Sequence, residues 1–201
     1  MVHTQQVTLN SDDVFVGLDY LDDPEPLALR NAWAADIVML SVDGLHTMIC
    51  GTSNEPGYGG KPPLGPNFAP FALGVAARQC SFANFTFTHE LGHVFGANHN
   101  RENVPTPFPG TPVQPWAYGL WRDNRDKGGA RTVMSYPIDP KLCTVPCSDY
   151  LVFSNAAVWI DWFHTGQADV SENARVITYS APVTAQYRLS LGRIFADGFE
   201  P

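Results

Sequence analysis

No apolar run in this chain approaches the roughly 20 residues that a membrane-spanning helix needs. The opening Met1–Asn10 carries neither a basic start nor an apolar stretch like that of a secretory signal, so the chain reads as soluble. Basic charge is also scarce: 12 Lys and Arg stand against 20 Asp and Glu, a formal net charge of -8 at pH 7. That balance gives no electrostatic reason to expect a nucleic acid or an anionic membrane as partner. The four cysteines, Cys50, Cys80, Cys143 and Cys147, lack the paired Cys-x-x-Cys spacing of a zinc ribbon. An even set of this kind reads as two disulfides formed in an oxidising compartment, with three pairings open. Internal repeats are absent. What remains, 201 residues with 44% hydrophobic and 16% charged, describes one globular domain with its own core.

Three textures follow one another along the chain. The first runs to about Cys80. It holds a strand-like alternating stretch from Val14 to Tyr20, then a helix starting at Asp23-Pro24-Glu25-Pro26 and running through Leu27, Leu29, Arg30 and Trp33. The apolar Ile37-Val38-Met39-Leu40 reads as a buried strand, and the Gly- and Pro-rich segment from Asn54 to Pro70 as a surface loop. The second texture is helical, from Asn84 to Ala97, with Asn84 as N-cap and Gly96 as the residue that turns the chain. Phe87, Leu91, Val94 and Phe95 share one face and His89 and His93 the other. The third, from Arg101, is loop-rich, including Val104-Pro105-Thr106-Pro107-Phe108-Pro109-Gly110. It closes on a helix from Ser171 or Glu172 through Tyr179, ended or interrupted near Pro182, which lacks the donor an interior turn requires.

The chemistry concentrates in His89-Glu90-Leu91-Gly92-His93-Val94-Phe95-Gly96-Ala97-Asn98-His99. On a helix, His89 and His93 stand about 6 Å apart along one face, so both imidazoles reach one ion. A third ligand from the same straight helix would lie too far along it. The chain must therefore turn back, Gly96 sits where that turn is needed, and His99 completes a tris-imidazole set. Three neutral nitrogens suit zinc, and an open coordination position marks a catalytic site, where the ion acidifies water and polarises a carbonyl. Glu90, on a different azimuth, is the candidate general base for that water and proton donor to the leaving amine. His3, His46 and His164 stand alone and read as ordinary surface or loop residues.

This motif, followed by Thr132-Val133-Met134-Ser135-Tyr136, resembles the metzincin zinc metallopeptidases, recognised by His-Glu-x-x-His-x-x-Gly-x-x-His and a methionine-containing turn. Within that clan the likeness is to reprolysin-like bacterial secreted peptidases, including the peptidyl-Asp type. It is carried also by Leu29 to Val38, Cys50-Gly51, Thr88 to Asn100, Phe153-Ser154-Asn155 and Asn173-Ala174-Arg175. Asn100 departs from the Asp frequent in reprolysins.

The resemblance implies an α+β, zincin-like fold: a twisted mixed sheet with the active-site helix above, and a loop-rich lower part ending in a helix. It implies one catalytic domain over residues 1–190, divided at 99/100, with a tail over 191–201. It implies one zinc ion, Met134 as the apolar floor beneath it, Tyr136 as a second electrophilic aid, and the pairs Cys50–Cys80 and Cys143–Cys147. Calcium is not legible in these residues. Such domains open with a strand and a long helix before the segment that Gln5 to Tyr20 resembles; this chain reads as lacking both, either as a fragment or mis-started product or as a minimal variant. The implied protein is a secreted, monomeric zinc endopeptidase that takes an extended polypeptide along a sheet edge, with side-chain preference set by residues from Pro137 to Phe153. An inactive zinc-binding recognition module and a non-peptidase zinc amidohydrolase are the rival expectations.

Overall fold

The computed structural model describes residues 3–44, 49–103, 114–123, 128–136 and 147–188, without the side chains of Ala83 and Cys147. The first element is a helix, α1 (Val14–Tyr20), where alternation had predicted a strand. Two local facts decide against extension. The Asp13 carboxylate caps the helix by accepting from the Phe15 amide at 2.8 Å, and the buried positions are Val14, Gly17 and Leu21, a helical spacing. Gly17 has a steric reason too: a Cβ there would lie 3.1 Å from Val75 and 3.2 Å from Leu40, so the helix lies directly on the sheet.

Helix α2 (Pro24–Ala32) begins as expected, with proline in its first turn. The chain then supplies β1 (Val38–Val42), β2 (Gly51–Ser53) and β3 (Leu73–Ala77). These form one sheet in the order β1-β3-β2, with β1 parallel and β2 antiparallel to the central strand. The central strand is buried along its whole length. It was not anticipated from sequence, although its unbroken apolar run suits a strand covered on both faces.

The segment from Asn54 to Pro70 is not simply a surface loop. Asn54 and Glu55 are buried at one end. At the other a 3-10 turn, Pro66–Phe71, buries Phe68 completely against Val94 and Tyr187. Arg30 ties this turn to α2. Its guanidinium is buried and donates to the carbonyls of Ala35, Asp36, Ala69 and Pro70.

A short helix, α3 (Arg78–Ala83), precedes the motif helix α4 (Thr86–Val94). The disulfide Cys50–Cys80 joins the residue before β2 to α3, as expected. The predicted Asn84 cap is not formed: Asn84 ends α3, and α4 starts from Phe85 in the left-handed region at φ 57° with no side-chain cap. The predicted apolar face is also only partly right. Val94 is fully buried, but Phe87 is 40% exposed, and Phe87, Leu91 and Phe95 border a groove of about 1200 Å³ shared with residues 3–12 and β1.

Beyond α4 the elements are short: β4 (Asn98–Asn100), β5 (Tyr118–Gly119), β6 (Trp121–Arg122), β7 (Gly129–Arg131), β8 (Cys147–Asp149), β9 (Trp159–Ile160) and β10 (Phe163–His164). They pair as β4 with β5, as β6-β7-β8, and as the hairpin β9-β10. The last helix, α5 (Asn173–Thr184), runs past Pro182, where an end or interruption was expected. Proline costs one backbone hydrogen bond, but only the final turn lies beyond it. That turn and the residues just after it seat Val183 and Tyr187 on the Phe68 cluster, which offsets the loss. The molecule is thus α+β, and among the described residues no helix is long and apolar enough to cross a membrane. The Val104–Gly110 run, His46, the Cys143–Cys147 pair, most of the Pro137–Phe153 segment and the 191–201 tail lie outside the described residues or side chains.

Candidate metal centre

Helix α4 ends in a two-bond turn. Gly96, at φ 86°, donates its amide to the His93 carbonyl at 2.7 Å, and Ala97 donates to the Gly92 carbonyl at 2.9 Å. This is the Schellman arrangement, with glycine where a Cβ would be strained. It reverses the chain into β4 and returns His99 to the helix. The Nε2 atom of His99 lies 3.0 Å from that of His89 and 3.0 Å from that of His93.

The opposite ring nitrogens fix the protonation. His89 Nδ1 donates to the Val133 carbonyl at 2.8 Å and His93 Nδ1 to the Ala97 carbonyl at 2.9 Å. Carbonyls only accept, so both Nδ1 atoms carry the hydrogen and both Nε2 atoms present lone pairs. A proton on His99 Nε2 can serve one of these neighbours, not both, whereas a single cation serves all three. Burial holds all three imidazoles below their usual pKa, His93 to about 3, with mutual repulsion adding to it for His93 and His99. The site therefore keeps neutral imidazoles, the form that ligates a metal. The three histidines fit a metal ion in donor type, tautomer and convergence.

Glu90 faces inward beside them and is 6% exposed. Its Oε2 accepts from Ser53 Oγ at 2.7 Å, so the side chain is held against β2, the antiparallel edge strand. Gly51 allows that approach: a Cβ there would lie 2.6 Å from Glu90 Oε1. Burial pushes the Glu90 carboxyl up to about 7, opposed by the Ser53 hydrogen bond.

The turn 132–136 lies under this helix. Met134 is fully buried with its sulfur against Gly92, where an added Cβ would be 2.6 Å from Sδ. Val133 of the same turn supplies the carbonyl that orients His89. Buried Arg131 forms a two-pronged ion pair with Asp149 on β8, just before the turn. Tyr136 is 44% exposed, its ring centroid 4.2 Å from that of His99. Its amide lies 3.4 Å from Asn100 Oδ1, so the residue after the third histidine ties the turn's exit to β4. Burial, then the charge of Glu90, raises the Tyr136 phenol.

The expected residues His89, Glu90, His93, His99, Met134 and Tyr136 thus gather in one place. Four contributors were not read from the sequence: Ser53, Glu55, Asn98 and the Val133 carbonyl. Asn98 Oδ1 accepts from the His99 amide at 2.7 Å, and Asn98 Nδ2 donates to Glu55 Oε1 at 2.9 Å. Asn173, at the start of α5, donates to the Asn98 carbonyl, while Ser154 accepts from the Asn173 amide and donates to Tyr118. Two blocks read only as weak likenesses are thus parts of the frame around β4. No periodicity marks such residues, because each acts through bonds to particular partners, most of them distant in sequence.

No protein-family model matches the chain. It is 26% and 27% identical, over 161 residues in each case, to proteins named peptidyl-Asp metalloendopeptidase from two strains of Stenotrophomonas maltophilia. A protein of the same name from Xanthomonas campestris pv. campestris is 24% identical over 159 residues. Each likeness covers 79% of this chain but only 32–33% of the relative, so the chain spans about a third of these proteins' length. A solved chain described as "Structure of a chaperone-substrate complex" superposes with a TM-score of 0.59 at 16% identity, covering 91% of this chain and 26% of that one. At that identity the likeness concerns the fold alone.

Proposed function

We propose that this chain is the catalytic region of a zinc-dependent endopeptidase of the metzincin type, with His89, His93 and His99 as ligands and Glu90 as general base. The observation that carries the reading is the convergence of three imidazole Nε2 atoms, two with tautomers set by backbone carbonyls, beside a buried carboxyl. The distant likeness to metalloendopeptidases supports the same reaction class.

A bound zinc ion supplies Lewis acidity, polarising a peptide carbonyl and making a water nucleophilic near neutral pH. Glu90 takes a proton from that water at its carboxylate and returns it to the departing amine nitrogen. A carboxylate at this place, next to the first ligand and held by Ser53, is positioned for both halves of that task. Ser53 orients it. Met134 is the apolar floor, and contact with His99 supports the Tyr136 phenol as hydrogen-bond donor to the carbonyl oxygen. Among the described residues β2 is an edge strand of its sheet, which suits an extended polypeptide that would add by main-chain hydrogen bonds next to Glu90. The Cys50–Cys80 disulfide supports secretion into an oxidising compartment.

The test is digestion of unfolded casein by the purified chain, with and without a zinc chelator, beside Glu90→Ala checked to bind zinc. Cleavage that the chelator stops, and that the metal-loaded variant lacks, supports the reading. Folded, zinc-loaded wild type that cuts neither casein nor a broad peptide set refutes it.

A further inference from the structure

We propose that Glu55 is a positioning residue of the metal centre, anchoring the strand that carries His99 and backing the imidazole of His93. The inference rests on reading the three histidines as a metal site, and it goes beyond the hydrolytic machinery, in which Glu55 touches no reacting atom.

Glu55 follows Ser53 by two residues and is 7% exposed, deep enough that a carboxyl without partners would be costly. Both of its oxygens face the centre's supports. Oε1 accepts from Asn98 Nδ2 at 2.9 Å, and Asn98 Oδ1 in turn accepts from the His99 backbone amide at 2.7 Å. Oε2 lies 3.8 Å from His93 Nδ1, on the side of that ring opposite the converging Nε2. His93 Nδ1 already donates to Ala97 at 2.9 Å, so Glu55 does not replace that bond; its hydrogen-bonded influence runs through Asn98.

One carboxyl therefore spans the second and third ligands, from a segment 43 residues away from Asn98. The helix fixes His93, the Schellman turn aims the chain and backbone pairing with β5 holds β4, while the side-chain bonds of Asn98 fix the residue next to His99 from the Glu55 side. Groups that orient ligands in this way set metal affinity without touching the ion.

The full chain, freed of metal, would be titrated with Co²⁺, reading the visible absorption bands and the affinity in competition with a chelator. Glu55→Met keeps the volume and removes the acceptor. It is expected to bind Co²⁺ roughly 10–100-fold more weakly, with altered bands. Glu55→Gln keeps an acceptor for Asn98 and is expected to restore most of the affinity and the wild-type bands. If circular dichroism shows that Glu55→Met does not fold, Asn98→Ala takes its place, with the same loss expected. A folded variant lacking the Glu55–Asn98 bond that binds and absorbs like wild type overturns the proposal. So does a folded Glu55→Gln as weak as Glu55→Met. Wild type that binds Co²⁺ but cuts no peptide refutes the peptidase reading and leaves this inference standing, whereas wild type that binds no Co²⁺ overturns both.

Discussion

Half of the centre comes from one helix and half from short segments that bonds to distant parts of the chain bring to it. His89, Glu90 and His93 belong to α4, whose own backbone hydrogen bonds fix their spacing once the helix forms. His99 and Tyr136 come instead from β4 and from the end of the turn 132–136. They are placed by the pairing of β4 with β5, by the amides of Thr132 and Val133 donating to Leu120 and Val152, and by the side chains of Asn98, Asn173 and Asn100. The helical half is set by cooperative local order, whereas the other half depends on bonds to segments distant in sequence. Damage to the first should abolish chemistry or folding, and damage to the second should loosen the metal while the fold survives.

The largest effect expected on the helical side is that of Glu90→Ala. Peptide cleavage should fall at least about 10²–10⁴-fold while zinc, measured by atomic absorption, stays bound. An equal loss of metal would make Glu90 a structural support and break the contrast.

Removing the disulfide with Cys50→Ser and Cys80→Ser tests the frame that holds β2 beside Glu90. Releasing a 30-residue separation should cost about 3–4 kcal/mol in urea unfolding. A smaller effect in Glu90-dependent activity than in stability would show that Ser53 and Gly51 keep the carboxyl in place without the cross-link.

Gly92→Ala tests where the halves meet. The new methyl would press on the Met134 sulfur and on Phe153, where a Cβ would lie 2.9 Å from Cε1. A loss of about 1–3 kcal/mol is expected in thermal unfolding, with zinc affinity falling as the turn that carries Val133 is displaced.

The smallest effect expected is the pH dependence of the metal-free protein. Burial raises Glu90 to about 7 and Glu55 to about 8, so between pH 6.5 and 8 the folded state holds protons that the unfolded state has released. Stability should therefore fall as pH rises across that window. The histidines act the other way below 6.5: their depressed values make the unfolded state the better proton binder there, so their contribution to stability grows as pH rises toward 6.5. Glu55→Gln should flatten the fall above pH 6.5, as read by melting temperature in the presence of chelator. An unchanged slope would assign the effect to other groups.

The ligand motif was legible because its logic is local: helical periodicity puts His89 over His93, and a glycine at the C-terminus permits the reversal that returns His99. The same locality explains why α2, β1 and α5 were anticipated in kind. Where the reading failed, a cap or a packing surface outside the segment's own pattern decided. The alternation of Val14 to Tyr20 yielded to an Asp13 cap and a sheet surface shaped to receive Gly17. The Asn54–Pro70 segment, rich in Gly and Pro, sends both its ends into the interior. Ser53, Glu55 and Asn98 carry no spacing that distinguishes them from ordinary polar residues.

The residue order by itself determined a helix bearing two histidines and a glutamate, a glycine turn after it, and a third histidine just beyond, because backbone hydrogen bonding acts within a few residues. Only the tertiary structure decided that these groups become a buried, oriented site. The His89 tautomer, the raised carboxyl of Glu90 and the placing of His99 depend on the Val133 carbonyl, on burial of Glu90 against β2, and on Glu55 and Asn173 acting through Asn98, all of which meet the motif only after the chain has packed. Burial and electrostatics depend on what surrounds a group in space, and distance along the chain does not determine that.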